Sequence, residues 1–167
     1  MWIRCALLLV TRSLQASAPS RTVAQRKKVD LMVVEKSAHT RTLLSKGNAR
    51  KTYPVALSTG PVGAKESAGD HKVPERKYPI DEKKAQSRFH LALHVSYPNA
   101  ADRARAQKIG ADPGCEIAIH GLEKKYAWRG SLPREHDWTD GCSAVTDAEI
   151  EKIEPLVAVG TAVEIRP

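Results

Sequence analysis

Residues 117–145, IAIHGLEKKYAWRGSLPREHDWTDGCSAV, constrain this chain more than any other stretch. A short apolar run ends there in His120-Gly121. Twenty residues past that glycine stands Gly141-Cys142, set among Trp138, Thr139 and Asp140. An imidazole and a thiol brought together are the minimal equipment for acyl transfer through a thioester. Residues 116–120 predict a strand with Ile117 and Ile119 inward, so His120 falls at its end on the opposite face. A histidine there serves as readily as a structural hydrogen-bonder, and residue type alone leaves both roles open. The rest of the chain must be a frame that folds His120 against Cys142.

That frame has the patterning of a sheet protein. Val29, Leu31 and Val33 alternate with Asp30 and Met32, as in a half-buried strand. Residues 40–44 and 50–58, the latter with Tyr53, Val55 and Leu57 on one face, flank the turn signal Ser45-Lys46-Gly47-Asn48 and predict a hairpin. Residues 59–79 are rich in Gly, Pro and charge, which predicts a long surface loop of the kind that carries function. It lacks phosphate-loop spacing, so no nucleotide role follows. In 88–96, Phe89, Leu91, Leu93 and Val95 alternate with His90, Ala92, His94 and Ser96. Two histidines on one strand face suit a metal, a cleft or a wet surface equally. Asn99 is placed to cap a helix running to Ile109 and closed by Gly110, and 112–115 is a turn. Thr146-Asp147-Ala148-Glu149 has the form of a capping box for a second helix with apolar residues Ile150, Ile153 and Val157. Gly160 ends that helix, and 161–165 predicts a last strand.

Charge enters the argument only once it is mapped. The chain of 167 residues carries a formal +8, but six of those charges (Arg4, Arg12, Arg21, Arg26, Lys27 and Lys28) lie in the first 28 residues, which hold no acid. That leaves +2 for the remainder, which implies no basic face and no nucleic-acid partner. The opening 28 residues combine a basic start, an apolar run from Cys5 to Val10 and small residues at 16–18, resembling an exported protein's signal peptide. The expected division is a basic leader over 1–28 and one domain over 29–167. Beyond the leader only Cys115 and Cys142 remain, and a disulfide between them is the structural alternative to a reactive thiol. Cys115, His120, His136 and Cys142 lack the closely spaced ligand pair of a metal site, so no metal and no cofactor is expected.

Taken together, these residues resemble the L,D-transpeptidase catalytic domain, or YkuD-type, family across 29–167. The resemblance is carried by Ile119-His120-Gly121, by Asp140-Gly141-Cys142-Ser143-Ala144-Val145, and by 137–142, which spell the DWTDGC form of the cysteine motif. Phe89-His90-Leu91 and Ser96-Tyr97-Pro98-Asn99 are similar to the same branch. It implies a mainly β fold with some α, a sandwich with a few short helices. It further implies Cys142 as nucleophile, His120 as proton acceptor and donor, and the Gly121 carbonyl as the group orienting His120. Gly141 and Cys142 N–H groups would form the oxyanion hole; His94, Tyr97, Thr139, Asp140 and Ser143 would contact substrate. The implied partners are peptidoglycan stem peptides, with a second stem or an envelope protein as acyl acceptor, in the periplasm or cell envelope. Hydrolysis of a stem peptide or wall-protein linkage (a carboxypeptidase or amidase-like role) and a non-catalytic wall-binding module are the alternatives. Three positions depart from the pattern. Asp140 replaces a second histidine, Ala144 replaces an arginine or asparagine, and Arg76 in Val73-Pro74-Glu75-Arg76-Lys77-Tyr78 replaces a glycine, where a positive φ would strain it.

Overall fold

A computed structural model describes residues 28–129 and 136–167; the leader expected over 1–28 lies, apart from Lys28, outside them. The fold is mainly β. Eight strands, β1 (Leu31–Glu35), β2 (Thr40–Ser45), β3 (Asn48–Pro54), β4 (Lys77–Ser87), β5 (His90–Val95), β6 (Ala118–His120), β7 (Ser143–Ala144) and β8 (Ala162–Arg166), are ordered β3-β2-β1-β8-β4-β5-β6-β7. The pairs β1/β8 and β6/β7 are parallel. The two ends of this order are tied together, because Ala56, just past β3, bridges Ala144 of β7 through bonds of 2.9 and 2.8 Å. Leu43, Val55, Leu57, Ile80, Leu93, Ile119, Val145, Ile150, Ile153 and Val163 fill the enclosed core.

The hairpin forms where the turn residues require it, with Lys46 and Gly47 both at positive φ, the geometry that matches strand twist in a two-residue turn. Helix α1 (Ala100–Lys108) is capped by Asn99, whose side chain accepts from the Ala101 and Asp102 N–H groups at 2.8 and 3.1 Å. Helix α2 (Asp147–Ile153) starts where the Glu149 carboxylate reaches back to the Thr146 N–H at 3.0 Å, and it buries Ile150 and Ile153.

Four expectations need correction. β1 is not half-buried: Met32, Val33 and Val34 are all buried, because β1 lies between β2 and β8 with both faces covered. Residues 77–87 are not loop plus unassigned chain but the longest strand, in which only Tyr78 and Ile80 are buried. The remaining loop, 59–76, is pinned down more than a surface loop would be. Lys65 is buried and gives its ammonium to Asp70 Oδ1 at 2.9 Å and the Ser67 carbonyl at 3.0 Å; Asp70 also accepts from the Glu66, Ser67 and Lys72 N–H groups. Arg76 does not have positive φ, so the strain expected there does not arise. Its carbonyl accepts from the Ile165 N–H at 2.9 Å, and its guanidinium lies 3.7 Å from buried Asp102.

Candidate active site

His120 ends β6 because Gly121 follows it, and Gly121 is a glycine for want of room. A Cβ there would stand 2.5 Å from Asp147 Oδ1 and 3.1 Å from both Ile150 Cγ2 and the Phe89 carbonyl oxygen. Two other segments, α2 and the turn before β5, therefore converge on the residue beside the histidine. The Asp147 carboxylate accepts from the Leu122 N–H at 2.7 Å and so fixes the turn.

The imidazole is 1% exposed, and its Nδ1 is 2.7 Å from the Gly121 carbonyl oxygen. A carbonyl only accepts, so Nδ1 carries the proton and Nε2 is left with the lone pair of a base.

Cys142 arrives from the segment just before the neighbouring strand, β7. The parallel register sets Ile119 opposite Ser143 and His120 opposite Ala144. Cys142 itself precedes β7, and its thiol lies 3.5 Å from the Glu116 carbonyl oxygen. His120 and Cys142 line one cleft of about 970 Å³, together with Arg88, Phe89, Cys115, Glu116, Tyr126, Trp128, Trp138, Thr139 and Asp140. Cys115 and Cys142 are both free thiols, not a disulfide.

The turn at Gly141 has φ +131°, and a Cβ would lie 3.0 Å from both Ile117 Cδ1 and the Lys72 carbonyl oxygen. Only glycine suits that backbone and that space. Thr139 spans the turn by donating its hydroxyl to the Cys142 carbonyl at 2.8 Å, while the Gly141 N–H is directed to Thr139 Oγ1 at a long 3.4 Å.

Electrostatically the site is dry. Burial pulls the His120 pKa down to about 4, against the Gly121 bond, with Arg41 and Arg88 lowering it further. Burial likewise pushes the Cys142 thiol up to about 11, and the Asp140 and Glu116 carboxylates add to the rise. Both directions favour an uncharged thiol and an uncharged imidazole at rest.

Thr139 and Asp140 line the cleft, with Asp140 exposed and 3.1 Å from His71 Nδ1. Three residues expected at the substrate are elsewhere. His94 points across the sheet to Asp81 at 2.6 Å. Tyr97 is buried, edge-on to Tyr78, and donates to the Pro113 carbonyl. Ser143 does not line the cleft and accepts from the buried Arg41 guanidinium.

Arg41 was legible in principle, because alternation in β2 puts it on the same buried face as Leu43 and Ser45. Alternation over 88–96 sets Phe89 on one strand face with Leu91, Leu93 and Val95. Instead it lies in the turn before β5, where the alternation does not extend, and stacks on His120 at 4.2 Å. Among the described residues, no three His, Cys, Asp or Glu side chains gather as metal ligands.

Comparison with known proteins gives the chain a family and a fold. The YkuD family model, described as the L,D-transpeptidase catalytic domain, matches residues 30–165. The Escherichia coli K12 protein named "Putative L,D-transpeptidase YafK" is 31% identical over 109 residues, covering 64% of this chain and 36% of that one. This chain thus spans about a third of the length of the curated relatives it matches. Among solved structures, the helical cell shape determining protein Pgp2 from Campylobacter jejuni aligns at a TM-score of 0.62 and 21% identity, over 82% of this chain and 47% of that one. An L,D-transpeptidase from Mycobacterium smegmatis aligns at 0.55 and 14%, over 82% and 58%. At these identities the two structures speak for the fold alone.

Proposed function

Because this chain belongs to the YkuD family of L,D-transpeptidase catalytic domains, we propose that residues 29–167 form a cysteine acyltransferase acting on peptidoglycan stem peptides in the cell envelope. One observation carries the proposal: His120 and the free thiol of Cys142 line one cleft, and the bond from Nδ1 to Gly121 leaves Nε2 free to accept a proton.

The chemistry follows from that arrangement. Nε2 takes the thiol proton as Cys142 Sγ attacks the carbonyl between the stem's diamino acid and its terminal D-alanine. Because the resting pair is uncharged, this transfer accompanies attack and does not precede it. The developing oxyanion lies against the Cys142 and Gly141 N–H groups; the latter exchanges its long contact with Thr139 for the stronger charged acceptor. Collapse breaks the C–N bond, the imidazolium returns its proton to the leaving D-alanine amine, and a thioester remains on Cys142. An amine then attacks the thioester with Nε2 again as base, and the thiol is released. The Gly121 carbonyl plays the orienting part that a carboxylate plays in a serine triad.

The test is incubation with purified muropeptides and separation of products by mass. The wild type is expected to release D-alanine, to give cross-linked dimers, and to show a stem-sized mass adduct on Cys142. Cys142→Ala is expected to do none of these while keeping its fold. Trimmed monomers without dimers would make water the acceptor. Retained turnover in Cys142→Ala would overturn the assignment.

A further inference from the structure

The imidazole of His120 is held by more than its bond to Gly121. Phe89 stacks on it with ring centroids 4.2 Å apart and planes 24° from parallel. Trp138 meets it edge to face at 5.8 Å and 66°, and Phe89 and Trp138 are themselves 6.3 Å apart. The three rings thus form a closed triangle. Neither aromatic comes from the strand that carries the histidine, and each is anchored by its own backbone. The Phe89 N–H donates to Ser87 Oγ at 2.9 Å, and its carbonyl packs into the space Gly121 leaves. Trp138 N–H donates to the Leu57 carbonyl at 3.1 Å, while the adjacent Asp137 carboxylate accepts from the Leu57 N–H at 2.7 Å. On its outer face Phe89 carries the Arg88 guanidinium, 4.9 Å from the ring centroid.

We propose that Phe89 and Trp138 are positioning residues for the reaction: together they clamp the His120 ring in one orientation on the wall of the cleft it shares with Cys142, and they keep water off it. The proposal rests on the assignment of His120 as the acid–base group.

A single hydrogen bond at Nδ1 still leaves the ring room to swing about its Cα–Cβ and Cβ–Cγ bonds. A flat contact on one face and an edge on another remove that freedom. A base held in a near-attack geometry gains far more than one sampling several orientations, and a displacement of about 1 Å costs on the order of 100-fold in rate. The same cover keeps the ring neutral. The charged or titratable groups around it are Arg41 from β2, Arg88 from the turn before β5, Cys142 from the segment before β7, and Asp147 and Glu149 on α2. Asp147 is bonded to Leu122, and Glu149 is engaged with Thr146. Opening the clamp would hydrate the imidazole and raise its proton affinity. More of it would then be protonated, and useless as a base, at mildly acidic pH.

The experiment uses the full chain with Phe89→Leu, Phe89→Tyr and Trp138→Phe, two readouts, and a circular-dichroism check of folding. Phe89→Leu is expected to lower kcat/KM for D-alanine release roughly 10- to 100-fold, mainly through kcat. It is also expected to move the acid limb of the pH profile to higher pH. The NMR titration midpoint of the His120 ring should rise with it, and Phe89→Tyr should restore most of both. A Phe89→Leu protein with profile and midpoint unchanged would overturn the proposal. If Phe89→Leu does not fold, Trp138→Phe carries the same expectations and the same refutation. If the wild type releases no D-alanine, the acid–base assignment fails. The NMR midpoint still judges the clamp separately, because an unmoved midpoint would show that the rings do not control the imidazole.

Discussion

At the scale of single residues, the site is governed by burial more than by charge pairing. A thiol held at about 11 is thiolate to the order of one part in 10⁴ at pH 7, so free Cys142 should be a sluggish nucleophile toward small electrophiles. In a Cys5→Ser, Cys115→Ser background, which leaves Cys142 as the one thiol of the chain, iodoacetamide alkylation of Cys142 is expected to rise about tenfold per pH unit between 7 and 10. A plateau reached below pH 8 would show instead a resting thiolate–imidazolium pair. His120 has the opposite sign. Its folded pKa of about 4 lies below the ordinary 6.5, so the unfolded chain takes up a proton as pH falls through 6.5 while the folded chain does not. The stability contributed by neutral His120 is therefore complete above 6.5 and lost as pH drops toward 4, by up to about 3 kcal/mol. Urea unfolding at pH 7 and pH 4.5 should show wild type losing clearly more stability than His120→Gln. Asp70, held down to about 2 by its N–H donors and Lys65, loses its contribution only below pH 4, so the two windows do not overlap.

At the scale of elements, what the sequence reveals depends on whether local residues decide the outcome. The hairpin turn, the Asn99 cap and the Thr146–Glu149 box are set by neighbours a few positions away, and they could be read directly. The strand β4 could not. Most of its residues face water, its register shifts near Ile80 and again near Ser87, and it is held by β5 and β8, which are distant in sequence or follow a turn. Phe89 was misassigned for a related reason: alternation tells which face a strand residue takes, and Phe89 is not in the strand. The loop 59–76 looked like solvent-exposed chain because its organising contact is a hub. Asp70 receives three N–H groups and the buried Lys65 ammonium. Removing the hub leaves that ammonium buried and unpaired, the costly way to break an ion pair. Asp70→Ala should therefore lose about 3 kcal/mol in urea unfolding, with amide exchange accelerated first at residues 65–72. Because the Lys72 carbonyl packs against Gly141, its turnover should fall as well. Uniform acceleration of exchange across the sheet would mean that the loop is not a separate unit.

At the scale of the molecule, the order of strands makes the last one the join. β1, β2 and β3 form one half of the structure; β4 to β7, which carry His120 and Cys142, form the other. β8 lies between them, parallel to β1 from Leu31↔Ala162 to Glu35↔Arg166 and antiparallel to β4 from Lys77↔Glu164 to Pro79↔Ala162. Its inward residues, Val163 and Ile165, lie in the shared core. The halves also meet where 56–59 bond to 138–144, but that contact holds the cleft side alone. A chain ending at Gly160 would leave β1 and β4 as bare edges and take two apolar side chains out of the core. Burying each of these is worth about 2 kcal/mol, and the backbone bonds of five residues go with them. Against a whole-domain stability on the order of 10 kcal/mol, that loss is enough to abolish cooperative folding. The truncated chain should show no calorimetric transition near the full-length Tm, and adding a peptide of residues 161–167 should restore one in a concentration-dependent way. A truncated chain that melts in one sharp step within a few degrees of full length would show instead that the cleft-side contacts suffice, and that the site is framed without its central strand.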